Sequence, residues 1–351
     1  MSLDFAAVAS PRAATPTQMR ASQASSPTLA PKRHRIVLRK TKPVSSNTGA
    51  GVIAPRPTRR ATSADGKWKN GVLTIKKNLK NRIVNGTVKV ARNGLTIQNC
   101  VIRGDARHKP RGHNMMLVNT DSAHGTVVRY NDIRSSFKSA FMSGIGHRNV
   151  VAEFNDISHV TDGFLPSPAS GPSNVHMVIR GNYVHAFQFY GNAPGHGPTP
   201  LLSAGGIRIR GRWAGKPWNH ADAVQVETNR TTGVKVYGNN FVAKWAKDSV
   251  STLPLPNAIK ELSVFMLNGG RHLVVEDNWI DGGEYAVNNA DRHVTGHFAR
   301  NRFGRGMAHK GRGDRGYFAL VVASPHLLTY DGSRNRNIWA DSHKTVHRRH
   351  N

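Results

Sequence analysis

VVRYNDI (127–133), VVAEFNDI (150–157) and MVIRGNYV (177–184) are one phrase written three times. Branched apolar residues alternate, two or three residues follow, and then come Asn, any residue, and Ile, Val or Phe. The same phrase runs through LTIQNCVI (95–102), VKVYGNNF (234–241), LVVEDNWI (273–280) and GHFARNRF (296–303). Alternation with period 2 marks a half-buried strand. Self-similarity along a chain marks a stack of like units. The asparagines stand at 99, 131, 155, 182, 239, 278 and 301, so the gaps are 32, 24, 27, 57, 39 and 23 residues. The shortest gaps fit one coil of a parallel β-helix each, and the 57-residue gap fits two coils plus an insertion. Helical spacing is nowhere sustained, while 34 glycines punctuate the chain. A coil cannot bury its inner face alone, so successive coils share one core. The predicted fold is all-β, a single-stranded parallel β-helix (solenoid) over residues 66–340.

The asparagine has a physical task in that fold. The chain bends sharply between two short strands, and Asn tolerates the left-handed conformation and bonds its amide to the backbone. Stacking places Asn above Asn about 4.8 Å apart, which favours a hydrogen-bonded ladder. The plainer alternative is that Asn only marks loops; the apolar pattern repeating around it favours the ladder.

Composition bounds the rest. The 351 residues suffice for one large domain with a continuous core. The single cysteine, Cys100, excludes a disulfide within the chain and reads as a small buried hydrophobe. No run approaches the ~18 apolar residues that span a membrane. A net charge of +30 favours polyanionic partners: acidic polysaccharide, nucleic acid or an anionic cell surface. A merely solvated basic surface is the competing reading. The first residues, MSLDFAAVASPRAATPTQMR, contain no recognisable secretory signal peptide. Extracellular action or a place in a virion is expected, the latter needing no such signal.

Residues 1–65 are rich in Ala, Ser, Thr, Pro and Arg and poor in large apolar residues. They read as a disordered or extended basic arm or anchor. GKWKNGVLTIKKNLKNRIVNG, from residue 66, reads as the first coil, with Trp68, Val72, Leu73 and Ile75 closing its open end. FLPSPASGPSN (164–174) and the stretch 186–219 break the rhythm. Insertions in solenoids fall on one face, often the binding face. The second carries Tyr190, Trp213 and Trp218, whose rings suit sugar stacking or simple packing of the loops. Residues 341–351 form a basic tail.

Longer motifs run through SHVTDGF (158–164), RGNYVHAF (180–187), NHADAVQVE (219–227) and DNWIDGGEYAV (277–287). With the repeated Asn turns, these resemble the right-handed parallel β-helix family of pectate-lyase-like proteins, in particular a group from actinobacteria and their phages. That group carries a TDG-like turn, a GNYIH strand, an H-x-D-x-x-Q run and an NW-x-x-GG-x-Y segment. The resemblance covers about residues 72–340. It implies a right-handed coil, carbohydrate-directed action with or without catalysis, and, for tail-spike relatives, a homotrimer.

Within NHADAVQVE, His220 and Asp222 share a strand face. A bend between Asp222 and Val224 leaves His220, Asp222 and Gln225 at one edge, with Ala221 and Ala223 beneath. His185 and Asp162, from earlier coils, are expected to stack onto this face. The candidate catalytic residues are thus His220, Asp222, His185 and Asp162. The candidate substrate-binding residues are Gln225, Arg208, Arg210, Trp213, Trp218 and Tyr190. The 60 residues from Asp162 to Asp222 read as two coils, which gives about 9.6 Å and suits an inverting glycoside hydrolase marginally. A polysaccharide lyase would instead use His220 or His185 as base and Arg208 or Arg210 to hold the developing charge. A His-x-Asp pair also serves as a purely structural hydrogen-bonded unit.

Asp281, Glu284 and Tyr285 are weaker candidates. No metal or other cofactor is expected. The expected function is binding, with or without cleavage, of host cell-surface polysaccharide by a phage tail or virion-associated protein. In that role residues 1–65 would dock on other virion proteins. The alternatives are a secreted lyase or hydrolase, and a structural or polyanion-binding protein. Nucleic acid ranks last as a partner, for want of regularly spaced aromatics on a sheet face.

Overall fold

A computed structural model describes residues 55–104, 115–136, 142–167, 175–188, 221–228, 231–246, 262–283, 285–289, 294–304, 321–322, 328–329 and 336–346. Among these residues there is no helix. The chain winds repeatedly through three strands, which stack into sheets of ten, nine and nine strands. Sheet I runs from Lys67–Lys69 to Val321–Val322, sheet II from Leu79–Lys80 to Leu328–Thr329, and sheet III from Ile83–Asn85 to Ile338–Trp339. One full coil comprises Met142–Gly146 in sheet I, Val150–Glu153 in sheet II and Asp156–Ser158 in sheet III. Pairing between strands is parallel, except where Lys67–Lys69 folds back antiparallel on Val72–Ile75. This is a parallel β-helix.

The inward columns show why the alternating phrase produces it. In sheet II, Ile97, Val128, Ala152, Ile179, Val236 and Val275 lie one above another and are buried. In sheet III the column runs Val84, Ile102, Ile133, Ile157, Val184 and Phe241. Phe265 of sheet I meets Phe241 of sheet III and Phe298 of sheet II edge-on, at 5.4 and 5.5 Å, so the three sheets close on one core. Each fully buried Val, Leu, Ile or Phe contributes roughly 1.5–3 kcal/mol. A coil therefore gains only by lying against its neighbours.

The ladder joins sheet II to sheet III. Asn131 donates to Asn155, Asn155 to Asn182, Asn182 to Asn239, Asn239 to Asn278, Asn278 to Asn301 and Asn301 to Asn337, at 2.9–3.0 Å. All seven are buried. Each rung's backbone N–H also donates to the next rung's side-chain oxygen, as Asn155 does to Asn182 at 3.0 Å. Each amide gives its second proton to a carbonyl one coil back, as Asn182 does to Ala152 at 2.9 Å.

Three expectations are corrected. The left-handed residue is the one before the rung: Tyr130, Phe154, Asp277 and Arg300 have φ of 53–56°. Tyr130 and Phe154 then stack at 5.3 Å. Asn99 holds that pre-rung position (φ 52°), while Cys100 stands on the rung, its N–H donating to Asn131 at 2.9 Å. The 57-residue gap spans one coil with an insertion, because Val178–Arg180 pairs directly with Lys235–Tyr237.

At the start of the helix, Trp68 pairs with Leu73 and packs against the core. Residues 59–61 lie alongside Ile83, and Asp65 binds Arg82 at 3.0 Å. On the outside of sheet II, opposite charges in stacked coils pair: Arg180 and Arg129 both flank the buried carboxylate of Glu153.

Candidate functional site

Sheet I sets polar residues in one row. Ser143, Asp162, Asp222 and Ser263 are neighbours in adjacent strands, followed by Tyr285. The next residue in each strand faces inward: a Cβ on Gly144 or Gly163 would meet the buried Ile157 or Val184 side chain at 2.8 or 2.7 Å. Val224 after Ala223 is also part of the core, so the strand bends there. By alternation the row of Ser143, Asp162, Asp222 and Ser263 points away from the core. Small residues at 144, 163 and 223 let the bend form.

Within the row, Ser143 Oγ donates to Asp162 Oδ2 at 3.1 Å. Asp162 is half-buried, whereas Asp222 is fully buried. Asp162 and Asp222 belong to adjacent strands, not to strands two coils apart. Their backbones are therefore about 4.8 Å apart, not 9.6 Å. That corrects the two-coil separation inferred from sequence, so the ~9.6 Å that suited an inverting glycosidase does not apply. Gln225, in the same strand as Asp222, is half-buried.

His185 is placed in sheet III, away from this row. Its Nε2 meets Asp156 Oδ1 at 2.8 Å, and its ring stacks on Tyr183 at 4.0 Å. Asp156 in turn lies beside Asp132 one coil earlier. Burial pushes the Asp132 carboxyl up; Arg134 opposes this and Asp156 adds to it. Asp281 lies in sheet III, buried, in the strand Trp279–Gly282. His220, Arg208, Arg210, Trp213, Trp218, Tyr190 and Glu284 lie outside the described residues. The structure thus brings Asp162 and Asp222 together and gives His185 a different setting.

Sequence reasoning missed Ser143, Ser263, Asp132 and Asp156. A signal existed for each pair. MSGIG (142–146) and LSVFML (262–267) align with TDGFL and ADAVQV as polar, small or branched, then apolar. The residue after each rung Asn is the first outward residue of sheet III, which puts Asp132, Asp156 and Tyr183 in one row. Among the described residues, no group of three His, Cys, Asp or Glu side chains is placed to hold a metal ion. Among the described residues no helix is long and apolar enough to cross a membrane.

Comparison with models of known protein families, with curated proteins and with solved structures finds no match.

Proposed function

We propose that this protein binds cell-surface polysaccharide along sheet I, with Asp162 as the group that meets the sugar. The observation that carries this reading is the row Ser143, Asp162, Asp222 and Ser263 turned away from the core, in which Asp162 is the partly exposed member and the other three are buried behind it. The Asp162 carboxylate offers an acceptor to a sugar hydroxyl, and the buried polar groups of the adjacent strands hold it in place. Ser143 fixes Asp162, so little side-chain freedom is lost when a sugar is bound. The net charge of +30 draws an anionic chain towards the protein from a distance.

A second reading, hydrolysis, is favoured by the adjacency of Asp162 and Asp222. Glycosidic cleavage needs one carboxyl group to give a proton and another to attack or to activate water. Adjacent strands, about 4.8 Å apart, set two carboxyl-bearing residues side by side, as a retaining mechanism needs. In this reading His185 is no part of the centre. The lyase alternative rests on His220, Arg208 and Arg210.

The architecture, the basic N-terminal stretch and the resemblance to actinophage β-helix proteins support a place on a virion. A homotrimer and docking through residues 1–65 belong to the same proposal. Mass spectrometry of purified virions and light scattering of the isolated protein address both. The activity is tested on a panel of capsular and cell-wall polysaccharides, scoring retention, new reducing ends and absorbance at 235 nm. Wild type should retain at least one of them, and Asp162→Asn should lose that retention. Equal retention by both proteins would remove Asp162 from the site.

A further inference from the structure

The first coil carries a feature that the sheet I row does not use. Between residues 55 and 90 stand ten Lys or Arg residues and one acid, Asp65. Asp65 is already held by Arg82, with both oxygens 3.0 Å from Nε. Among the described residues, Arg60, Lys67 and Lys69 enter no ion pair, and Arg60, Lys67 and Lys69 are exposed. This end of the solenoid is therefore a concentrated positive field without local neutralisation.

The field surrounds a cleft. It has a volume of about 400 Å³ and is lined by Arg60, Trp68, Lys69, Asn70 and Asn85 among others. Trp68 is half-buried and forms part of the wall. Glycine at 86 makes room for the ring, since a Cβ there would lie 2.9 Å from Trp68 Cζ3. The indole is held by the core on one side. Its lining contains an aromatic surface, two cations and two side-chain amides within the volume of a small ligand. Amides pair with sugar hydroxyls, an indole face covers the apolar face of a pyranose, and Arg and Lys bind carboxylate or sulfate.

We infer that the N-terminal end of the β-helix is a second binding site, for a saccharide unit bearing a negative charge. It takes the acidic residue of a glycan chain, with the charged group between Arg60 and Lys69 and the ring against Trp68. A nucleic acid is disfavoured because one aromatic side chain, not a series of stacking platforms, lines the cleft. The site stands apart from the Asp162–Asp222 row and does not depend on that row's reading.

The test titrates the full chain with a uronic-acid tetrasaccharide, its carboxyl-reduced neutral counterpart and a single-stranded oligonucleotide of equal charge. Binding is followed by calorimetry and tryptophan fluorescence. The uronate should bind at least tenfold more tightly than the reduced sugar. Arg60→Glu with Lys69→Glu, at two exposed positions, should weaken it at least tenfold without shifting the melting temperature. Trp68→Phe should remove the fluorescence change. The double variant Asp162→Asn, Asp222→Asn should leave this binding intact, which separates the cap from sheet I. Equal affinity for the reduced sugar, indifference to charge reversal, or tighter binding of the oligonucleotide overturns the inference.

Discussion

Replacing Asn182 with alanine tests the ladder at its centre. Asn182 Oδ1 accepts from the backbone N–H and the side-chain amide of Asn155, each at 3.0 Å. Its Nδ2 donates to Asn239 Oδ1 at 3.0 Å and to Ala152 O at 2.9 Å. Alanine keeps the backbone N–H of residue 182, which still reaches Asn239 Oδ1 at 2.9 Å. It strands three groups inside the protein: the Asn155 N–H, one Asn155 amide proton and the Ala152 carbonyl. A buried polar group left without a partner costs about 1–3 kcal/mol. With partial relaxation the expected loss is on the order of 4 kcal/mol. Urea unfolding followed by circular dichroism measures it as a fall in midpoint at constant slope. Asn268→Ala, at an exposed position, is the control and should change stability by less than about 0.5 kcal/mol. A loss below about 1 kcal/mol in Asn182→Ala would refute the reasoning, because the stranded groups would then have found other partners.

Cys100→Asn should complete the rung that the first coils lack. Cys100 Sγ already lies 3.7 Å from Leu79 O, where the new amide would donate, so stability should hold or rise by about 1 kcal/mol in the same unfolding assay. Asp132→Asn should show a pH-dependent gain. Burial raises the folded carboxyl above its usual 3.8, so ionising it costs stability as pH rises through that value. The variant should therefore match wild type near pH 3 and melt higher at pH 7. Glu276 has the opposite sign: burial pushes its carboxyl up, but hydrogen bonds from His297 and Arg300 outweigh this and hold it below 4.5. Its contribution is present above pH 4.5 and fades as pH falls through the lowered value, so Glu276→Gln should flatten the acid limb of a melting-temperature profile. Gly163→Ala should destabilise by about 1–3 kcal/mol, because the added Cβ would lie 2.6 Å from Ala223 O and 2.7 Å from Val184 Cγ1.

The scaffold was legible because one residue type performs one task at every turn. Asn131, Asn155, Asn182, Asn239, Asn278 and Asn301 all stand on the ladder as the phrase indicates. The two ends were harder to read. LTIQNCVI contains the phrase one residue out of register, with Cys100 on the rung and Asn99 in the left-handed position before it. RNRNIW (334–339) ends on Trp where the phrase expects Ile, Val or Phe, so the rung at Asn337 escaped notice. The pre-rung residues Tyr130, Phe154, Gly181 and Asp277 share a conformation but no chemistry, and no pattern could announce them.

The site was partly legible for a related reason. Asp162 and Asp222 were both picked out by their motifs, yet their separation depended on coil length. An insertion inflated one coil, and sequence distance stopped being a measure of height along the stack. His185 shares RGNYVHAF with Tyr183, on which it stacks, but its carboxylate partner Asp156 lies one coil away in a different phrase, so the motif did not reveal the pair.

A crystal structure of the protein with a bound cell-surface oligosaccharide tests the central claim most directly. The account predicts sugar density along sheet I, with a hydroxyl within hydrogen-bonding distance of the Asp162 carboxylate. Density bound elsewhere on the outer surface, with no sugar hydroxyl at the Asp162 carboxylate, would contradict it.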